Sequence, residues 1–220
     1  MKIIVSDFDA TFFNKYYKEN IEVANKFMDD GNIFIIATGR NFKSITDELN
    51  KVNLKCNYYI CKDGSAIYDA NYNLLYRKDM DLDLSKELYD LLKSKDLKVY
   101  VDDTINYITD SNVSANAIIA KIDDREKDKV ILEEILANYD VYGYLSRNWI
   151  NIVDSSNSKS NAIKYLIDNN YIDGEVYTIG DAINDKEMIN DYKGFVMREN
   201  TLGVNENTVD NIKELIDKIN

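Results

Sequence analysis

The chain contains no histidine and no proline in 220 residues, and only two cysteines, Cys56 and Cys61. Without histidine there is no imidazole base, no nucleophile–His pair and no His/Cys zinc site. The cysteines form no CxxC pair and read as small buried hydrophobes. Any bound metal is therefore a hard, oxygen-liganded ion such as Mg2+. Average usage of about 5% would place roughly eleven prolines in such a chain. Their absence, with abundant Asn, Ile, Lys and Tyr, reads as genomic base-composition bias. Basic residues are also short: 27 Lys and Arg face 39 Asp and Glu, for a net charge of −12. That balance argues against a nucleic-acid backbone or an anionic membrane as the main partner. No apolar run approaches the ~20 residues of a membrane span, and residues 1–5 are too short for a signal-peptide core. The expectation is a cytoplasmic protein, a monomer or small homo-oligomer.

What is present is an alternation of apolar runs and helical patterns. Residues 2–7 read as a buried strand. Residues 19–30 carry Ile21, Val23, Ala24, Phe27 and Met28 at helical spacing, with Gly31 just beyond. A second strand, 33–37, ends at Thr38-Gly39-Arg40. A helix over 42–51 and a strand over 57–61 follow. This rhythm predicts an α/β fold with a parallel Rossmann-like sheet covered on both faces. The pattern then changes. Hairpins are expected over 66–76 and 98–109, helices over 83–95 and 125–138, and strands over 117–122, 141–145 and 149–153. Such a mixture suits a smaller α+β cap inserted over residues 79–154. The core would comprise residues 1–78 and 155–220. Its remaining elements are a helix over 158–169, a strand over 175–179, a helix from Asn184, a short strand over 195–197 and a last helix over 208–219.

Ligands of an open parallel sheet bind outside the carboxyl ends of its strands. Four places there carry polar chemistry. The first strand ends in Asp7-Phe8-Asp9-Ala10-Thr11. Residues two apart on a strand point the same way, so Asp7 and Asp9 need a shared cation or proton. The second strand ends in Thr38-Gly39-Arg40, and a later one in Gly180-Asp181-Ala182-Ile183-Asn184-Asp185. Lys159 opens a helix just after the insert. A carboxylate nucleophile, a hydroxyl, a lysine and a second acidic pair suit phosphoryl transfer through a metal.

These motifs, DxDxT, TGR, a lone Lys and GDxxND in that order, resemble the haloacid dehalogenase superfamily of phosphohydrolases, and most of all its Cof-like branch. The resemblance covers the whole chain and implies roles. Asp7 would be the nucleophile and Asp9 the proton carrier. Mg2+ would lie between the Asp7 carboxylate, the Asp9 backbone carbonyl and Asp181, with Asp185 supporting it or orienting Lys159. Thr38, Gly39 and Arg40 would meet phosphoryl oxygens, with Thr11 and Asn184 nearby. Asn184 would cap its helix or contact substrate. Lys159 would neutralise charge on the nucleophile and the transferring group. Two positions depart from the family pattern. Ala10 stands where a glycine is usual, and Lys62-Asp63-Gly64-Ser65 stands where Asn-Gly-Ala is frequent. An aspartate facing a phosphate is unfavourable unless it binds a cation or a sugar hydroxyl, and Lys62 is the nearest compensating charge in sequence.

The implied activity is Mg2+-dependent hydrolysis of a small phosphorylated metabolite, a sugar phosphate or a phosphoglycolate-like acid, through an aspartyl-phosphate. Two alternatives stand beside it. A phosphomutase would pass the phosphoryl group to a second hydroxyl of a hexose phosphate. A receiver-like signalling domain would keep it.

Overall fold

Burial explains the order of the main sheet. Strands β1 (Lys2–Asp7) and β2 (Ile33–Ala37) are buried along almost their whole length, as strands covered on both faces must be. They lie at the centre of a sheet with β3 (Tyr58–Cys61), β4 (Ala66–Asp69), β5 (Leu74–Arg77), β11 (Glu175–Gly180), β12 (Lys193–Met197) and β13 (Thr208–Val209). In the computed structural model, which describes residues 1–146, 148–204 and 206–220, the strand order is β13-β12-β11-β1-β2-β3-β4-β5. Pairing is parallel from β13 through β3. It turns antiparallel at β4 and β5, because a hairpin continues the sheet. The core sheet is thus mixed rather than wholly parallel.

Side-chain alternation sends successive residues to opposite faces. Ile4, Phe34 and Ile36 pack on one face with Ala24 and Phe27 of α1 (Tyr17–Asp29), Ile45 and Leu49 of α2 (Phe42–Asn50) and Leu215 of α7 (Ile212–Ile219). Ile3, Val5, Ile35 and Ala37 pack on the other face with Ala162, Ile163 and Leu166 of α5 (Lys159–Asp168) and Met188 of α6 (Lys186–Asp191).

A second sheet, all antiparallel, has the order β7-β6-β8-β10-β9. Its strands are β6 (Lys98–Asp102), β7 (Tyr107–Ile108), β8 (Ala117–Lys121), β9 (Val141–Ser146) and β10 (Trp149–Asp154). It packs on α3 (Leu82–Ser94) and α4 (Arg125–Asn138) through its own core of Leu88, Leu92, Val99, Ile118, Ile135 and Ile150.

Helix ends are made without proline. Asn41, Asp81, Asp124, Ser158 and Asn211 cap N-termini through side-chain oxygens, each replacing a missing intrahelical acceptor. Beyond the C-terminal ends of α1, α3 and α5, Gly31, Asp96 and Asn170 take the left-handed conformation that closes helices. The expected last helix is shorter than its apolar pattern suggested. Thr208 and Val209 form an edge strand beside β12, and the helix starts only after the Asn211 cap.

Six parallel strands end on one side, and the chain runs outward from β1 in both directions, through β2 to β3 and through β11 to β13. The reversal between β1 and β11 opens a crevice at their carboxyl ends. Asp7 and Gly180 terminate these strands. Just beyond β1, Ala10 sits at φ 65°, a conformation that costs an L-residue about 1 kcal/mol. Ala10→Gly is expected to stabilise the fold by about 0.5–1 kcal/mol in urea unfolding; an unchanged midpoint would contradict that reading.

Candidate active site

Lys159 is the centre of the crevice. Its ammonium lies 2.6 Å from Asp7 Oδ1 and 2.6 Å from Asp185 Oδ1, and its side chain is completely buried. Two glycines make this approach possible. Gly180 carries no Cβ because the Asp185 side chain lies against it. Gly64, at φ 103°, abuts the carbonyl of Ser158, the residue that caps α5 and precedes Lys159. The other Asp185 oxygen, Oδ2, accepts the backbone N–H groups of Asp181 (2.9 Å) and Ala182 (3.0 Å). Asp185 thereby holds both the lysine and its own loop.

Asp181 accepts a hydrogen bond from Thr11 Oγ1 at 3.0 Å. Oxygens of Asp7, Asp181 and Asp185 all lie within 4.8 Å of one another. Burial, reinforced by Asp185, pushes the Asp7 carboxyl well above the ordinary carboxylate range against the pull of Lys159. Burial and Asp185 likewise raise Asp181 to about 6. Burial alone would lower Lys159, but Asp185 and Asp7 outweigh it, and the net shift is upward. Carboxyls that resist ionisation beside one another, with only oxygen donors present, fit a hard divalent cation such as Mg2+.

The second strand end behaves differently. Thr38 is buried, and its Oγ1 accepts the Arg40 N–H at 3.1 Å. Arg40 does not point at the lysine. Its guanidinium grips Asp9 through two bonds, Nε to Oδ2 at 2.8 Å and Nη2 to Oδ1 at 2.7 Å, and stacks over the Phe8 ring. Asp7, Asp181, Asp185 and Lys159 are therefore brought together, whereas the Asp9 side chain is held by Arg40. Asn184 caps no helix; its Nδ2 donates to Asp63 Oδ1 at 2.9 Å.

Asp63 and Tyr144 form a group that the sequence motifs did not reveal. Tyr144, on β9 of the second sheet, donates its hydroxyl to Asp63 Oδ2 at 2.5 Å. Burial, then the Asp63 charge, raises the Tyr144 pKa well above its usual value, so it stays a donor. Lys62 does not pair with Asp63. Its ammonium turns to Asp102 of the second sheet at 3.0 Å, both side chains being buried. Asn116 adds a third link, accepting from Ser65 Oγ at 2.8 Å. The only sequence-level sign of this docking was the unusual Asp63 itself.

Such a site, at the switch point of a Rossmann-like sheet with a second α+β unit docked over it, defines a capped α/β enzyme. Comparison with known proteins agrees. The sequence profile of the haloacid dehalogenase-like hydrolases matches residues 4–116 and 98–214, and the chain belongs to that family. The chain is 25% identical over 232 residues to the Bacillus subtilis 5-amino-6-(5-phospho-D-ribitylamino)uracil phosphatase YcsE, covering 100% of this chain and 89% of that protein. An uncharacterized protein of Mycoplasma capricolum is 32% identical over 100 residues, and the match spans only 38% of its length. Among solved structures, the HAD subclass IIB sugar phosphatase BT4131 superposes with a TM-score of 0.80 at 17% identity, covering 100% of this chain and 99% of that one. Among the described residues, no helix is long and apolar enough to cross a membrane.

Two outcomes test this geometry. A Cβ on Gly39 would lie 2.6 Å from the Tyr144 hydroxyl and 3.3 Å from Asp63 Oδ2. Gly39→Ala is expected to destabilise by about 1–3 kcal/mol, the scale of a buried hydrogen bond lost. The cost should shrink by about 1 kcal/mol in a Tyr144→Phe background, where the clashing oxygen is gone. Equal costs in both backgrounds would refute the packing.

The second outcome concerns pH. Because the folded-state pKa of Asp181 is raised, its contribution to metal-free stability is full below its ordinary pKa of 3.8 and is lost as pH rises through about 6. A cation competes with these protons. Mg2+ should therefore raise the melting temperature more at about pH 7.5 than at about pH 5. An increment that fails to grow with pH would contradict cation binding at these carboxylates.

Proposed function

We propose that the protein is a Mg2+-dependent phosphatase that hydrolyses a small phosphorylated metabolite through an aspartyl-phosphate on Asp7. The observation that carries this reading is the buried Lys159 bridge. It holds one Asp7 oxygen and leaves Oδ2 to act as the nucleophile. Mg2+, held by Asp7, Asp181 and the Asp9 carbonyl with support from Asp185, would screen the repulsion between nucleophile and phosphate.

In the proposed first half-reaction Asp7 Oδ2 bonds to phosphorus, and the bond from phosphorus to the leaving oxygen breaks. Asp9 gives that oxygen a proton. In the second half-reaction Asp9 takes a proton from water, whose oxygen attacks phosphorus and frees Asp7. For Asp9 to do this its pair with Arg40 must open, and a phosphoryl oxygen is the competing anion for the guanidinium. Thr38 and the Gly39 backbone would receive other phosphoryl oxygens. Lys159 neutralises the charge that builds between Asp7 and the transferring group. Thr11 steadies Asp181.

We assign residues 1–78 and 155–220 to the catalytic core and residues 79–154 to the cap. Contacts from Asp102, Asn116 and Tyr144 onto the 62–65 turn support a cap that lies over the site. A covered site favours small substrates over polymers and excludes bulk water. The name of the Bacillus subtilis relative and that of the structural neighbour, a sugar phosphatase, support a phosphorylated polyol or sugar as substrate.

Asp7→Asn is expected to reduce Mg2+-dependent hydrolysis of an aryl phosphate by at least about 10⁴-fold while preserving the circular dichroism spectrum. Undiminished turnover by that variant would sink the assignment. Net release of inorganic phosphate separates this phosphatase from a mutase, which would only move the group.

A further inference from the structure

A cavity of about 310 Å³ adjoins the lysine bridge, between Tyr142 of β9 and the turn and helix that follow β11. Ser158, Asp63 and Asn184 line its inner part, and Lys186, Glu187 and Asn190 line its exposed rim. Ser158 and Asn184 are the sequence neighbours of Lys159 and Asp185. The Asp63 carboxylate lies against the Gly39 backbone, where an added Cβ would approach both of its oxygens. Asp63 thus links the cavity to the strand end at Thr38 and Gly39, which under the proposed function would meet the phosphoryl group.

Asp63 is built into this position at a cost. Lys62, Asp63 and Gly64 are three successive left-handed residues, at φ 46°, 54° and 103°. Such strain persists only where the surroundings enforce it, and it clusters at functional sites. Asp63 is only 2% exposed. Both of its oxygens accept hydrogen bonds, from Tyr144 and Asn184. A carboxylate offers about four lone-pair sites, so two more donors can be received. Lys62 and Lys159 feel its charge but make their direct pairs with other carboxylates, Lys62 with Asp102 and Lys159 with Asp7 and Asp185. At the rim, Lys186 and Glu187 offset each other. The inner wall therefore accepts hydrogen bonds and carries negative charge.

We propose that this cavity receives the leaving group and that Asp63 selects it. Accepted leaving groups present hydroxyl or amino donors; leaving groups with a second negative charge are rejected. The inference rests on the phosphatase reading and deepens it. Of the two substrate classes compatible with the motifs, phosphorylated polyols and sugars fit the cavity, and phosphorylated hydroxy acids do not. A donor gains a charge-assisted bond to Asp63, whereas a carboxylate brought beside it meets a like charge in a water-poor site.

The test compares glycerol phosphate with phosphoglycerate, which carries a carboxylate in place of a CH2OH group. An aryl phosphate serves as the reference. The wild-type kcat/KM for glycerol phosphate should exceed that for phosphoglycerate by at least about tenfold. Asp63→Asn, which removes the charge and tolerates the left-handed backbone, should narrow that ratio severalfold, chiefly through a lower KM for phosphoglycerate. Tyr144→Phe, which keeps the charge, should leave discrimination against phosphoglycerate in place. Aryl phosphate turned over with a wild-type ratio at or below one would overturn the selectivity, and this arm needs no variant. A folded Asp63→Asn protein with an unchanged ratio would overturn the assignment to Asp63. Loss of all turnover, aryl phosphate included, in the wild type would instead defeat the phosphatase reading.

Discussion

One ammonium group shared by two buried carboxylates holds the site together. Lys159 touches Asp7 from β1 and Asp185 from the loop after β11. It reaches both because α5 starts beside the crevice where the strand order reverses. Breaking a buried pair of this kind leaves an uncompensated charge and costs about 3–5 kcal/mol. The neighbourhood is arranged to protect it. Asp185 receives two backbone N–H groups, Gly180 leaves room for its side chain, and Gly64 lets the Ser158 cap approach. Even so the cluster is short of positive charge. Asp7 and Asp181 both resist ionisation, and a divalent cation is the natural remedy.

Positive charge is spread with equal economy around this centre. Arg40 is spent on Asp9, and Lys62 on Asp102. Both pairs are poised at boundaries: the first between two loops of the core, the second between core and second sheet. Under the proposed function, a substrate phosphate would enter a site whose arginine already has an anionic partner, so its binding and the release of the Asp9 carboxylate would be coupled by competition for one guanidinium. Tyr144 and Asp63 make a similar junction above Gly39, linking the second sheet to the second strand end of the core.

The parts of this arrangement legible in the sequence are those carried by single segments. Asp7-x-Asp9 follows an apolar run, and Asp181 and Asp185 sit within one turn after another. The helix opened by Lys159 begins after Ser158, a residue that caps helices well. Strand positions followed from apolar runs whose burial on two faces needs no knowledge of the partner. The parts not legible depend on pairs distant in sequence. Tyr144 and Asp63 are 81 positions apart, and Arg40 and Asp9 are 31 apart. Nothing local distinguishes Tyr144 from the other tyrosines, or directs Lys62 to Asp102 rather than to its neighbour Asp63. Thr208 and Val209 were drawn into a helix because two apolar-compatible residues before an Asn cap continue a helical pattern. Only the open edge of β12 makes them a strand. Ala10 stands out in the sequence only as a replacement for a usual glycine; its positive φ belongs to the folded turn.

Under the proposed function the Lys159-held carboxylate of Asp7 accepts the phosphoryl group. Rapid acid quench during turnover of a phosphate monoester, followed by mass spectrometry of the N-terminal peptide, tests it most directly. One added phosphoryl group on Asp7 is expected, removed by hydroxylamine as an acyl phosphate would be. Turnover with Asp7 unmodified at every quench time, or with the group on another residue, would contradict it.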